Sequence, residues 1–190
     1  LDFSLAGGVP VPREVGGARA GMPSLEPTLE VGPSLEMRLW QGREISHDIW
    51  LNLPLRAAFS AGNSGIDHAG WIFAPFVEYT WRNERHHASW KANIAVGPIY
   101  ADESYHDYFY TVGAAYVTAD RPEYHASGGY GGSRVSVGVQ RRLGDLWFGV
   151  FGRYDTLQGA TFAASPLVKI RRYHAIGFAM TWIFFKSKTL

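Results

Sequence analysis

The chain has 190 residues, 46% apolar and 15% aromatic, with 22 glycines and no cysteine, which suits one domain over 1–190 and leaves no disulfide framework or thiolate metal site. Its formal charge of +1 is built from basic residues spread along the chain, so there is no electrostatic footprint for nucleic acid. The longest apolar run, 176–185 with Thr181 inside it, is about half the roughly 18 residues a membrane helix needs, and residues 1–20 lack a secretion signal, so the sequence reads as mature protein.

Along the chain the dominant signal is a period of two. After a short candidate strand over 1–11, Leu29, Val31, Pro33, Leu35, Met37 and Leu39 alternate with Glu30, Gly32, Ser34, Glu36 and Arg38, which predicts a strand with one apolar face. The pattern repeats with Ile49, Leu51, Leu53, Leu55, Ala57 and Phe59 against Asp48, Asn52, Arg56 and Ser60. Further strands are predicted over 71–82, 90–100, 108–118, 130–143, 146–157 and 173–185. Turn-formers fall between segments, as in Gln41-Gly42-Arg43, Gly62-Asn63-Ser64-Gly65 and Leu143-Gly144-Asp145, giving an up-and-down meander.

These roughly nine segments are mostly about ten residues or longer, where soluble strands average about 5–6 and a tilted bilayer-crossing strand needs about 9–11. The expected fold is therefore all-β, a closed antiparallel transmembrane β-barrel. Bacterial single-chain barrels have even strand numbers, so about ten strands are expected first and eight next. The seven tryptophans lie near segment ends. By alternation Trp71, Trp81, Trp90 and Trp182 share the apolar face and form a candidate girdle, while Trp40, Trp50 and Trp147 fall on the polar face.

A soluble sandwich or lipocalin-like barrel would show the same alternation with its charged face outward. Lys91 is the one lysine before Lys169, so few solubilising side chains are available for such a surface. With the apolar face turned to lipid, Glu30, Glu36, Arg38, Asp48, Arg56, Glu78, Arg82 and Lys91 face the lumen. There both signs are expected to pair and fill a narrow interior, the alternative being a solute pore.

The standard catalytic motifs are absent. The cluster Gly128-Gly129-Tyr130-Gly131-Gly132 leads into a valine-rich strand and so offers no helix N-terminus to a phosphate. Adjacent His86 and His87 would point to opposite faces of a strand, a poor arrangement for one metal ion. His106-Asp107 and Asp67-His68 have the composition of hydrolytic dyads, but no serine is spaced as a nucleophile. No catalytic, cofactor-binding or metal-binding residue is assigned.

Three stretches carry a family likeness: Asp107-Tyr108-Phe109-Tyr110-Thr111-Val112, then Tyr124-His125-Ala126-Ser127-Gly128-Gly129-Tyr130, then Tyr154-Asp155-Thr156-Leu157 running to Ser165-Pro166-Leu167-Val168. In their order and spacing, and more loosely in Gly7-Gly8-Val9, the chain resembles the MipA/OmpV family of outer-membrane proteins. The resemblance implies a barrel in the outer-membrane lipid of a Gram-negative cell, with no cofactor. It also implies a non-enzymatic scaffold linking a periplasmic murein transglycosylase to a murein synthase. A small-solute pore or surface adhesin is the alternative, and a lipid-modifying enzyme a more distant one.

One departure is the C-terminus, where Phe184-Phe185 is followed by Lys186-Ser187-Lys188-Thr189-Leu190 instead of ending the chain on an aromatic residue. With both termini in the periplasm, the connection over 158–172 faces outside. Ser165, Pro166, Leu167 and Val168 then lie on an extracellular loop, either as a partner-binding element or as a rigid return packed on the rim.

Overall fold

The computed structural model describes residues 2–8, 17–42, 46–62, 65–85 and 88–184. Val9, Arg43, Asn63, Ser64, His86, His87 and the tail from Phe185 lie outside the described residues. Nine strands are described: β1 (Asp2–Gly8), β2 (Thr28–Gln41), β3 (His47–Gly62), β4 (Gly65–Phe73), β5 (Phe76–Arg85), β6 (Ala88–Ala101), β7 (Gly129–Leu143), β8 (Leu146–Thr156) and β9 (Arg172–Trp182). One α-helix, α1 (Glu103–Tyr110), and a 3₁₀ turn (Ala114–Tyr116) follow β6. Every strand pairs antiparallel with its neighbours in a single sheet.

β4 and β5 are two halves of one path. β3 pairs Leu55 with Phe73 and then Asn52 with Phe76 in the same register, and β6 likewise spans both halves. The break falls at Ala74 and Pro75, where proline has no N–H to give the ladder, although Ala74 N still donates to Pro54 O at 3.3 Å. The nine described strands thus occupy eight positions across the sheet, not the ten expected first. The segment predicted over 108–118 accounts for part of that difference, because its start lies in α1. Asp102 caps this helix, its side chain accepting from Tyr105 N at 2.9 Å. The cap satisfies an amide that a helix start leaves bare, and burial of the aromatic side chains on the sheet outweighs their preference for strand.

The registers assemble one continuous apolar face. Leu5, Val31, Ala57 and Trp71 lie side by side, as do Tyr79, Ile94, Val137, Gly152 and Ile176 on the later strands. This face is exposed: Ile176 and Phe178 are each 85% accessible. The opposite face holds the buried polar side chains, including Thr80 at 1% and Asp48 at 3%. A bulge between Arg38 and Trp40 sets Trp40 opposite Ile49, so Trp40 joins the apolar face, contrary to simple alternation. An extra residue in one strand reverses every side chain beyond it.

The two ends of the sheet differ. One carries the short connections 42–46, 86–87 and 144–145 and the described ends Asp2 and Phe184; the other carries 9–27, 102–128 and 157–171 together with the short connection 63–64. α1 packs onto the polar face at the long-loop end, with Tyr105 and Tyr108 against Ala58, Ala69, Ile72 and Ala101. Gly70, at φ +130°, makes that approach possible, since a Cβ there would collide with the Asp102 carboxylate and the Tyr105 backbone. Gly70→Val is expected to destabilise the fold by about 1–3 kcal/mol, measured by denaturant unfolding of detergent-folded protein. Gly65→Val is the control, because Gly65 also has positive φ but faces open space; equal losses in the two variants would mean that α1 does not rest on Gly70.

Candidate functional site

The polar face is organised around ion pairs formed between strands. Glu30 on β2 and Arg56 on β3 meet at 3.0 Å, Arg56 also donates to Ser4 Oγ on β1 at 3.2 Å, and the Tyr105 hydroxyl donates to Glu30 at 3.0 Å. Asp48 takes Arg82 at 2.5 Å, and Glu78 accepts from Thr80 at 2.9 Å. Glu36 and Arg38 share the face but are exposed in the lower half of β2, where the Arg38 guanidinium lies 5.5 Å from the Trp50 ring centroid. The eight charged residues expected on one face therefore all stand on it by register.

Sequence reading passed over a second set on the same face. Arg134 and Arg153 both contact Asp155, at 2.6 and 2.8 Å. Their signal was the alternation within 130–143 and 146–157, which carries these residues on the non-apolar positions.

At the long-loop end, the loops interlock into a cap. His106 is 2% exposed and its Nδ1 donates to Ser127 O at 2.8 Å. Tyr110 stacks on Phe162 at 3.7 Å, and His106 meets the same Phe162 edge-on at 4.6 Å. Arg121 joins two loops by donating to Tyr116 O, Ala18 O and Ala20 O. Ser165 is 3% exposed; its Oγ donates to Tyr110 O at 2.7 Å and accepts from Leu167 N at 3.3 Å. Val168 packs against the cluster of Ala126, Ala160 and Phe162. The Ser165-Pro166-Leu167-Val168 element is thus threaded into the cap, with Ser165 holding two backbone groups and Val168 supplying apolar packing.

Burial sets the titration of the cap. It pushes the Tyr110 hydroxyl up to about 12. Burial, reinforced by the neighbouring Glu30 carboxylate, raises Tyr105 as well. It pushes His106 below the ordinary histidine value, against the opposing bond to Ser127 O. Neither His106-Asp107 nor Asp67-His68 is arranged as a dyad: the Asp107 carboxylate accepts from the Thr111 hydroxyl, and His68 lies against Phe59 and Trp71. Among the described residues no group of three or more His, Cys, Asp or Glu side chains could hold a metal ion.

Trp71, Trp81, Trp90 and Trp182 all lie on the apolar face. Trp81, Trp90 and Trp182 stand near the short-turn end with Trp40, and Arg141 lies over the Trp90 ring at 4.7 Å. Trp71 stands within the continuous β4–β5 path, further toward the long-loop end. Near that end Phe59, Tyr100, Tyr130 and Tyr154 provide a second set of aromatic residues.

An antiparallel all-β chain with an exposed apolar face, a buried polar face and a capped end has the character of a cell-envelope protein; among the described residues no helix is long and apolar enough to cross a membrane. The chain belongs to the MipA family: the family model described as MltA-interacting protein MipA matches residues 1–184. That description names an interaction, not a reaction. No curated protein and no solved structure matches the chain.

Two predictions follow from the cap's chemistry. Because folded His106 takes up its proton below the unfolded value of about 6.5, stability is complete above that pH and falls as the pH drops from there toward the folded value. Cap amides over 103–128 should therefore exchange faster at pH 5 than at pH 7.5 after correction for intrinsic rates. His106→Gln should flatten this dependence, and an unchanged profile would remove His106 as its source. Ser165→Ala, which leaves Tyr110 O without its donor, should cost about 1–3 kcal/mol, read as local protection lost around 157–168.

Proposed function

We propose that the chain is an eight-stranded closed β-barrel in the outer membrane of a Gram-negative cell. In this reading it has no catalytic role and acts as a scaffold, binding a murein transglycosylase at its periplasmic end and holding it, with a murein synthase, beside the outer membrane. The observation that carries the reading is the inverted sheet, exposed Leu, Val, Ile and Phe on one face and buried Asp, Asn and Thr on the other. A soluble sheet would bury the first and expose the second, whereas a barrel in lipid does the reverse.

The dimensions agree with a bilayer. From Trp90 to Tyr100 on β6, at about 3.4 Å per residue and about 40° of tilt, the rise is about 25 Å, the height of the apolar band between two aromatic girdles. Eight positions give the even number that an up-and-down barrel requires. β1 and β9, which have no mutual pairing among the described residues, would run antiparallel at the closing seam. The short turns and both ends of the chain belong on the periplasmic side and the cap outside, with the Ser165–Val168 element in it. Paired charges and the inward α1 support a filled interior. The family description supplies the transglycosylase as the partner class; the synthase rests on the resemblance.

The first test is heat-modifiability: folded protein run with and without boiling should show two mobilities. A single mobility together with good solubility in plain buffer would remove the barrel and with it the scaffold. A second test reads the face directly. Val137→Arg, in the middle of the apolar face, should cost about 2–4 kcal/mol when the protein folds into lipid vesicles; for a soluble surface position the cost would stay within about 0.5 kcal/mol.

A further inference from the structure

We infer that the short-turn mouth of β6–β9 is a docking site for an acidic peptide segment of a protein partner, held by Lys91 and Arg142 beside the Trp147 indole. The inference rests on the proposed barrel, whose short turns face the periplasm, and adds to it a place and a chemistry for the partner.

Two neighbouring rungs of the polar face build the site. In one, Arg82, Lys91, Gln140 and Gly149 lie side by side; in the next, Ser89, Arg142, Trp147 and Thr181 do. All of these but Gly149 line an open cavity of about 410 Å³, within the usual range for a ligand site. The Trp147 ring lies over Gly149, its edge 3.5 Å from where a Cβ would stand, an ordinary van der Waals contact.

The cavity is lined by charges of one sign, and Glu84 stands opposite Ser89 at the β5 end of the second rung. Among the described residues that line it, three are cations and none is a carboxylate. Arg82 is already neutralised by Asp48. Arg142 gives its Nε to Gly144 O at 3.0 Å, a neutral acceptor, and neither it nor Lys91 has an ion pair among the described residues. By contrast, on the same face Arg56 meets Glu30 and Arg134 meets Asp155.

Spacing identifies the occupant. Lys91 and Arg142 are diagonal neighbours on adjacent strands, about 7–8 Å apart. Carboxylates at alternate positions of an extended peptide lie on one side of it about 7 Å apart, which matches the two cations. The indole, next to Arg142 in the same rung, supplies an apolar platform on the far side of it from Lys91, and Gln140 and Thr181 offer hydrogen bonds to a peptide backbone. The site opens on the polar face, away from the lipid-facing side, which favours a protein segment over a lipid headgroup.

The test uses the full chain folded in detergent and a blocked peptide of alternating Glu and Ala, titrated by calorimetry and by tryptophan fluorescence. The acidic peptide should bind, more weakly as salt rises, while a matching Lys and Ala peptide should not. Lys91→Gln and Arg142→Gln should each weaken binding about tenfold, and the double charge reversal Lys91→Glu with Arg142→Glu should abolish it. Retained heat-modifiability in every variant separates loss of the site from loss of the barrel. Unchanged affinity in the Gln variants, equal binding of the basic peptide, or preferential binding of a murein fragment would each overturn the proposal.

Discussion

Everything else in this fold follows from one constraint: the polar face of the sheet is the buried one, so each buried charge must find its partner on that face. An isolated ion away from water costs several kcal/mol, and the strands answer by pairing charges across neighbours. Glu30 is satisfied from both sides, by Arg56 on the next strand and by Tyr105 on the helix. Asp155 takes two arginines; the contact from Arg153 Nε is an ion contact at 2.8 Å without hydrogen-bond alignment. Buried charge pairs of this kind add little net stability compared with apolar packing. Their effect is on register, because sliding a strand by one residue would carry its charges to the exposed apolar face.

Much of this was legible in the sequence because it rests on alternation. The strands from 29 to 59 and from 130 to 157 repeat a two-residue period so strictly that face and neighbour follow from it, and the eight expected polar-face charges stand together. Legibility failed where one local device outweighed the period. The bulge after Arg38 moved Trp40 to the other face, which no periodic count can foresee. The aromatic run from Tyr105 to Tyr110 has the composition of a strand, and only Asp102, placed to cap it, and the small side chains of Ala58, Ala69 and Ala101 beneath it, make it a helix. Pairing between distant residues was not readable at all: nothing in the chain announces that Ser165 will reach Tyr110 or that Arg121 will reach Ala18.

The two ends of the sheet divide the work. The long-loop end is closed by its own chemistry, since His106, Tyr110 and Phe162 form an aromatic knot and the buried hydrogen bonds of Ser165 and Arg121 are taken by backbone carbonyls. A surface so fully engaged with itself has few free groups to offer a partner. At the short-turn end Trp147, Lys91 and Arg142 border an open cavity. In the proposed orientation, the end with the open cavity is the end that meets the periplasm.

The first strand shows how the interior holds an edge. β1 has only seven residues and a single described strand neighbour, β2, and a short edge pairing of this kind is marginal by itself. Arg56 changes that balance: from β3 its guanidinium reaches past β2 to Ser4 while its Nε holds Glu30. Glu30 in turn holds Tyr105, so the helix that fills the long-loop end and the strand at the edge of the sheet are tied through the same carboxylate. The cap and the edge are therefore not independent features. Any change that loosens α1 from Glu30 also weakens the grip of Arg56 on β1, and in the proposed barrel β1 is one side of the seam that must close.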